Sequence, residues 1–193
     1  MSPRPTLAPT PGQTVGPFYG YALPYAGGNE LVPPGRPDAI RLHGRVLDGH
    51  GEPVPDAMLE IWQADADGRV PREAGSLRRD GFTFTGWGRT STDNTGEYSF
   101  TTVRPGATGE GAAPFFALTV FARGLLNRLF TRAYLPDHPA LATDALLGSL
   151  PTDRRETLVA RPAADGLIFD VRLQGEQETV FLSYPGTEQA PHG

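Results

Sequence analysis

The chain contains no cysteine, which removes disulfides, thiolate catalysis and Zn–Cys or Fe–S centres at once. No run of Lys or Arg exceeds two residues and the net charge is −5, so long-range attraction to phosphate backbones or anionic membranes is disfavoured, though a local basic pocket is not. No apolar run reaches the length of a membrane span, and the segment MSPRPTLAPTPGQTVGPF has no apolar core of signal-peptide length. A soluble cytoplasmic protein is therefore expected. There is no Gly-x-Ser-x-Gly and hence no basis for a serine triad. The histidines, His43, His50, His138 and His192, fall in a strand, a turn, a helix start and the tail. None has metal-ligand spacing to another. Internal repeats are absent too.

What the chain has in quantity is turn residues. With 24 Gly and 20 Pro in 193 residues, short strands joined by turns fit better than helices, in one domain with a substantial core. Residues 1–36 are dense in proline and read as an extended N-terminal arm. Its aromatics Phe18, Tyr19, Tyr21 and Tyr25 need a surface to pack on, in this chain or in a partner. From Ile40 the pattern changes to alternation, with Ile40, Leu42, Gly44 and Val46 on one face. Ala57–Ala64 is a second predicted strand. Thr85–Thr92 and Glu97–Val103 flank Asp93-Asn94-Thr95-Gly96, a hairpin signal. Pro114–Arg123 is nearly all apolar and predicts a central strand buried on both faces. Leu129–Leu135 carries Arg132 and Tyr134 on one side. His138–Leu150 is the one predicted helix. Thr157–Ala160, Leu167–Leu173 and Thr179–Ser183 are the closing strands, and residues 185–193 form a polar tail. The expected fold is an all-β, antiparallel β-sandwich over residues 37–184 with one short helical excursion.

Two motifs are weak. Gln63–Gly68 is faintly like a calcium loop, but it lacks the leading Asp, and Ala74 stands where a bidentate Glu is needed. Gly106–Gly111 misses the dinucleotide spacing. Two other features carry more. In Gln13-Thr14-Val15-Gly16-Pro17-Phe18, Gly and Pro can bring a stiff backbone close to a ligand, although a packed turn explains them equally well. Arg123 ends the most apolar strand, where a guanidinium must reach water, a carboxylate or an anionic ligand, and a structural salt bridge is the commoner outcome.

The segments GRVLDGHGEPVPDAMLEIWQADADGR and GRTSTDNTGEYSFTTVRPG resemble the strand pair of the intradiol ring-cleaving dioxygenases. TPGQTVGPF, LTVFARGLLNRLFTRAYLPD, RRETLVARP and LIFDVRLQGEQETVFLSY resemble the α-type chains of that family's two-subunit members. The likeness runs from Thr10 to Tyr184. Catalytic subunits of the family hold a ferric ion with two tyrosines and two histidines, hard ligands that suit Fe³⁺. Here Phe115-Phe116-Ala117 stands in place of His-x-His. No tyrosine follows Arg69 in the 70–84 loop, and none lies near Pro105-Gly106. The resemblance thus implies a chain that binds no metal itself and works beside a homologous β subunit holding non-haem Fe³⁺. The pair would cleave protocatechuate with O₂ to 3-carboxy-cis,cis-muconate in the β-ketoadipate route of aromatic catabolism. By position in the motifs, Thr14, Gly16, Pro17 and Phe18 match the arm's contribution to the partner's substrate pocket, and Arg123 matches an arginine linked to it. Phe18 stands where the family usually has Tyr. The alternatives are a self-sufficient dioxygenase, which the absent ligands disfavour, and a non-enzymatic β-sandwich binding module.

Overall fold

Nine strands form among residues 16, 19–73 and 79–184, the parts of the chain that the computed structural model describes. Strand β1 (Ile40–Leu47) buries Leu42, Gly44 and Val46 and turns Arg41 and Arg45 outward, as a period of two requires. It pairs antiparallel with β4 (Glu97–Thr102) and parallel with β8 (Gly166–Ile168) and β9 (Val171–Arg172). Strand β7 (Arg161–Ala163) adds to β8. The second sheet runs β3 (Trp87–Ser91), β2 (Met58–Trp62), β5 (Phe115–Phe121), β6 (Leu129–Tyr134), antiparallel throughout. Leu42, Val46, Phe100 and Leu167 of the first sheet share one apolar core with Leu59, Ile61, Phe116, Leu118 and Val120 of the second. Each such side chain contributes about 1.5–3 kcal/mol on burial. The expected sandwich is present, with parallel pairs in one sheet, because the last strands return alongside β1 in its own direction.

That return is kinked where the backbone of Phe169 presses on β1. A Cβ on Gly44 would stand 2.0 Å from the Phe169 carbonyl oxygen, so only glycine fits there. The Phe169 carbonyl accepts from the Tyr98 hydroxyl at 2.6 Å, and Asp170 Oδ1 accepts from the Arg45 N–H at 3.0 Å. The predicted strand Leu167–Leu173 is consequently split into β8 and β9, although Leu167, Phe169 and Val171 keep their alternation and are buried.

Other expectations need correction. The Asp93–Gly96 turn forms, with Asp93 Oδ1 accepting from the N–H groups of Thr95 and Glu97. It joins no hairpin, however, for β3 and β4 lie in different sheets. Thr92 is drawn to the carbonyls of Val54 and Ala57, which sends the chain across the sandwich. The predicted helix at His138–Leu150 is a 3-10 turn (Pro139–Ala142) followed by a separate helical turn, α2 (Ala145–Gly148). Asp144 breaks it: its backbone is extended, Oδ1 accepts from the N–H groups of Leu146 and Leu147, and Oδ2 takes the buried Ala113 N–H. Within Thr157–Ala160 only Val159 bridges, parallel to Tyr134. The Thr157 and Leu158 N–H groups close onto Arg154 and Arg155, ending a further helix, α3 (Thr152–Glu156). Within Thr179–Ser183 only Leu182 bridges, to Phe130, since Thr179 and Val180 bond to Arg172 and to the Thr157 hydroxyl. β5 is central, yet Phe115, Ala117 and Phe121 on its outer face are only partly covered.

The described arm is not wholly extended: Tyr19–Ala22 makes one helical turn, α1. Further on, it caps an edge of each sheet. The Gly28 carbonyl accepts from Arg89 of β3, and Asn29 and Leu31 exchange hydrogen bonds with Thr101 of β4. Tyr19 is buried and Tyr25 stacks on Trp87 at 6.4 Å, both within this chain, whereas Tyr21 is 80% exposed. Phe18 and the polar tail lie outside the described residues. No helix here is long and apolar enough to cross a membrane among those described.

Candidate functional site

The outer face of the four-stranded sheet carries the aromatic and charged residues. Strand alternation places Phe115 and Ala117 on it and sends Phe116 into the core, fully buried. Two histidines at the same spacing would share this face. Arg132, opposite Ala117 in the register, instead lays its guanidinium 4.0 Å from the centre of the Phe115 ring. It donates to the Tyr134 hydroxyl, which in turn donates to Asp144. A fixed cation stacked on an aromatic carbon face is a poor fit for Fe³⁺. Among the described residues no three His, Cys, Asp or Glu gather as metal ligands. Tyr98 and Tyr134 do not serve either. Burial pushes both phenols up, and both hydroxyls already donate within the protein, to the Phe169 carbonyl and to Asp144. Among the described residues, the donor set on this face therefore does not fit the metal of the family.

Around that centre lie half-exposed Trp62, its ring 6.1 Å from Trp87, and Arg89, which lies over Trp87 and pairs with Glu60. The loop after β2 is anchored by buried Gln63, whose amide donates to the Val103 carbonyl. The Asp65 carboxylate accepts from the N–H groups of Asp67 and Arg69, so the segment resembling a calcium loop is a tight turn.

Of the site residues read from the sequence, Thr14, Pro17 and Phe18 lie outside the described residues. Gly16 has φ +79° and open space around its missing Cβ, a conformation that favours glycine. Arg123 follows β5 and forms an ion pair with Asp56, Nη2 to Oδ2 at 3.0 Å. Tyr19 reaches the same corner and donates to the Phe121 carbonyl at 3.3 Å. Its phenol is pushed up to about 12, first by burial and then by the Asp56 carboxylate, with Arg123 opposing. The structure thus brings together Tyr19, Asp56 and Arg123, of which the sequence singled out only Arg123. The missed signal at Asp56 is an acid directly at the entry to a buried strand, Pro55-Asp56-Ala57.

Residues 16–117 match the protein family described as Dioxygenase. The chain is similar to the protocatechuate 3,4-dioxygenase alpha chain of Burkholderia cepacia, 41% identical, with 92% of this chain and 98% of that one covered. Similarity to the protocatechuate 3,4-dioxygenase beta chain of the same bacterium is lower, 34%, over 74% and 67% of the two chains. Among solved structures, the dioxygenase domain of a carbohydrate-binding fusion from Streptomyces sp. SirexAA-E shares the fold with a TM-score of 0.58 and 26% identity, over 87% of this chain and 99% of that one.

Proposed function

The chain belongs to the intradiol ring-cleaving dioxygenases, and we propose that within them it serves as the α subunit of a protocatechuate 3,4-dioxygenase, beside an iron-bearing β subunit. The observation that carries this reading is the near full-length likeness to an α chain, higher in identity and fuller in coverage than the likeness to a β chain. The donor set on the outer sheet face agrees with it, since a stacked guanidinium occupies the place where ligands would be needed. The non-haem Fe³⁺ and its chemistry then belong to the partner.

In this reading the chain's own residues bind and orient. Protocatechuate is a flat ring with a carboxylate, so its pocket needs apolar walls and positive charge at one end. Thr14, Gly16, Pro17 and Phe18 supply a close, stiff wall, and Arg123 supplies the charge. The bond between the two hydroxylated carbons breaks, and both atoms of O₂ enter 3-carboxy-cis,cis-muconate. A cytoplasmic location is part of the same reading.

Co-expression with a homologous β chain tests it. Iron and protocatechuate cleavage are expected in the two-chain complex and in neither quantity from this chain alone. Stoichiometric iron, a visible phenolate-to-iron band and turnover in the isolated chain would establish the self-sufficient alternative. Failure of the two chains to form any complex would favour the binding module.

A further inference from the structure

We propose that Asp56 is a positioning residue, pinning Arg123 at the corner between β2 and β5 so that its guanidinium is presented to the substrate carboxylate in the partner's pocket. This rests on the reading of Arg123 given above.

Asp56 is the one non-glycine among the described residues with positive φ, at 61°. Such a backbone is costly for a residue with a side chain and tends to persist where it has a job. Its carboxylate is mostly buried, and Oδ1 has no hydrogen-bond partner. The contrast with the other turn acids is informative. Asp48, Asp65, Asp80 and Asp93 each accept from two backbone N–H groups and so build their turns. Asp56 makes no such bond, and its side-chain partner is Arg123 at 3.0 Å. Glycine or asparagine would satisfy this backbone at least as well. The turn therefore leaves the charge unexplained, and the ion pair with Arg123 accounts for it.

The corner is also rigid. A Cβ on Gly20 would stand 3.2 Å from the Asp56 carbonyl oxygen, so α1 packs directly on it, and the Tyr19 hydroxyl fixes the other side through the Phe121 carbonyl. Arg123 remains 58% exposed, and Asp56 engages one of its guanidinium nitrogens, out of a fork that carries five N–H donors. Pinning a long side chain by one nitrogen lowers the ordering cost when the rest of the fork engages a carboxylate.

The test uses the two-chain complex carrying Asp56→Gly, Asp56→Asn, Arg123→Ala, or Asp56→Gly with Arg123→Ala. Glycine and asparagine both tolerate the left-handed backbone, so thermal melts should stay near the parent. KM for protocatechuate is expected to rise about 10-fold in either Asp56 variant with kcat changed less than about twofold, and catechol, which lacks the carboxylate, should be handled as before. The double variant should be no worse than Arg123→Ala. If Arg123→Ala raises KM and the Asp56 variants do not, Asp56 is no positioning residue, while the reading of Arg123 stands. Equal losses on both substrates with a lowered melt would make Asp56 purely structural. Should Arg123→Ala itself change nothing in an assembled, iron-loaded complex, the reading of Arg123 and this inference fall together.

Discussion

Arg123 sits at the end of a strand with one guanidinium nitrogen committed to Asp56 and its side chain more than half exposed, and its removal is expected to show in catalysis more than in folding. Loss of a charge-assisted contact costs about 1.5–3 kcal/mol, so Arg123→Ala should lower kcat/KM for protocatechuate roughly 10- to 100-fold in the two-chain complex, and much less for catechol. Steady-state kinetics on both substrates decide it, and equal effects would make Arg123 a general structural prop. Tyr98 is the opposite case, wholly buried, with its hydroxyl serving the Phe169 carbonyl at the kink of the parallel return. Tyr98→Phe leaves that carbonyl without its donor and is expected to cost about 1–3 kcal/mol. For a domain of this size that is a melting point lower by roughly 2–12 °C. An unchanged calorimetric melt would mean that another donor had replaced the hydroxyl.

Asp144 shows how one side chain can decide an element. It caps α2, takes the buried Ala113 N–H and receives the Tyr134 hydroxyl, so Asp144→Ala should lose about 2–4 kcal/mol, with Asn recovering part of it. Chemical denaturation with unchanged slope checks this, and a loss under about 0.5 kcal/mol would contradict the capping account. The turns make a second expectation, on pH. Of the carboxyls that hydrogen bonds hold below the usual range, three build turns: Asp48 chiefly through the Glu52 N–H, Asp80 through the Thr83 N–H, Asp93 through the Thr95 hydroxyl, with Asp80 at about 2. The folded chain there binds fewer protons than the unfolded one, so this stability is present above about pH 4 and lost as pH falls towards about 2. Melting points should be flat near neutrality and fall through that window, less steeply in Asp80→Asn; equal slopes would exclude Asp80 as a contributor. Strands β1 to β6 were legible because alternation, or for β5 an apolar run, is written in consecutive residues. Which sheet each would join was not, since the Asp93–Gly96 turn fixes a reversal while Thr92, bonding to Val54 and Ala57, chooses the side. The helix was over-read because Asp144 looks like any polar position until its cap forms. Arg123 was legible as a charge ending an apolar strand. Its partner was not, because Asp56 meets it only through the β2–β5 register, in which Met58 faces Phe121.

Taken whole, the chain leaves Trp62 about half exposed on the outer sheet face, with Val70 exposed in the loop after β2 and Tyr21 on the arm. Because Tyr19 and Tyr25 already pack within the chain, stickiness is expected from that face rather than from the arm as a unit. The isolated chain should be colourless and self-associate at high concentration, and Trp62→Ser should shift sedimentation towards monomer. Sedimentation of parent and variant as equal monomers would remove the exposed face as a cause. One further consequence belongs to the path by which the molecule is made. Strand β1 lies between β4 and the returning β8 and β9, with Leu42 set against Leu167 and Val46 against Val171. During translation, then, the first strand to emerge waits for nearly the last, and most of the domain has left the ribosome before that side of β1 is covered. Pairing over such a separation is slow, and an open strand edge is what chaperones bind and aggregates recruit. Synthesis of this subunit is therefore exposed to misfolding for almost its full length, and a chain stalled before Val171 would carry an open edge at its centre.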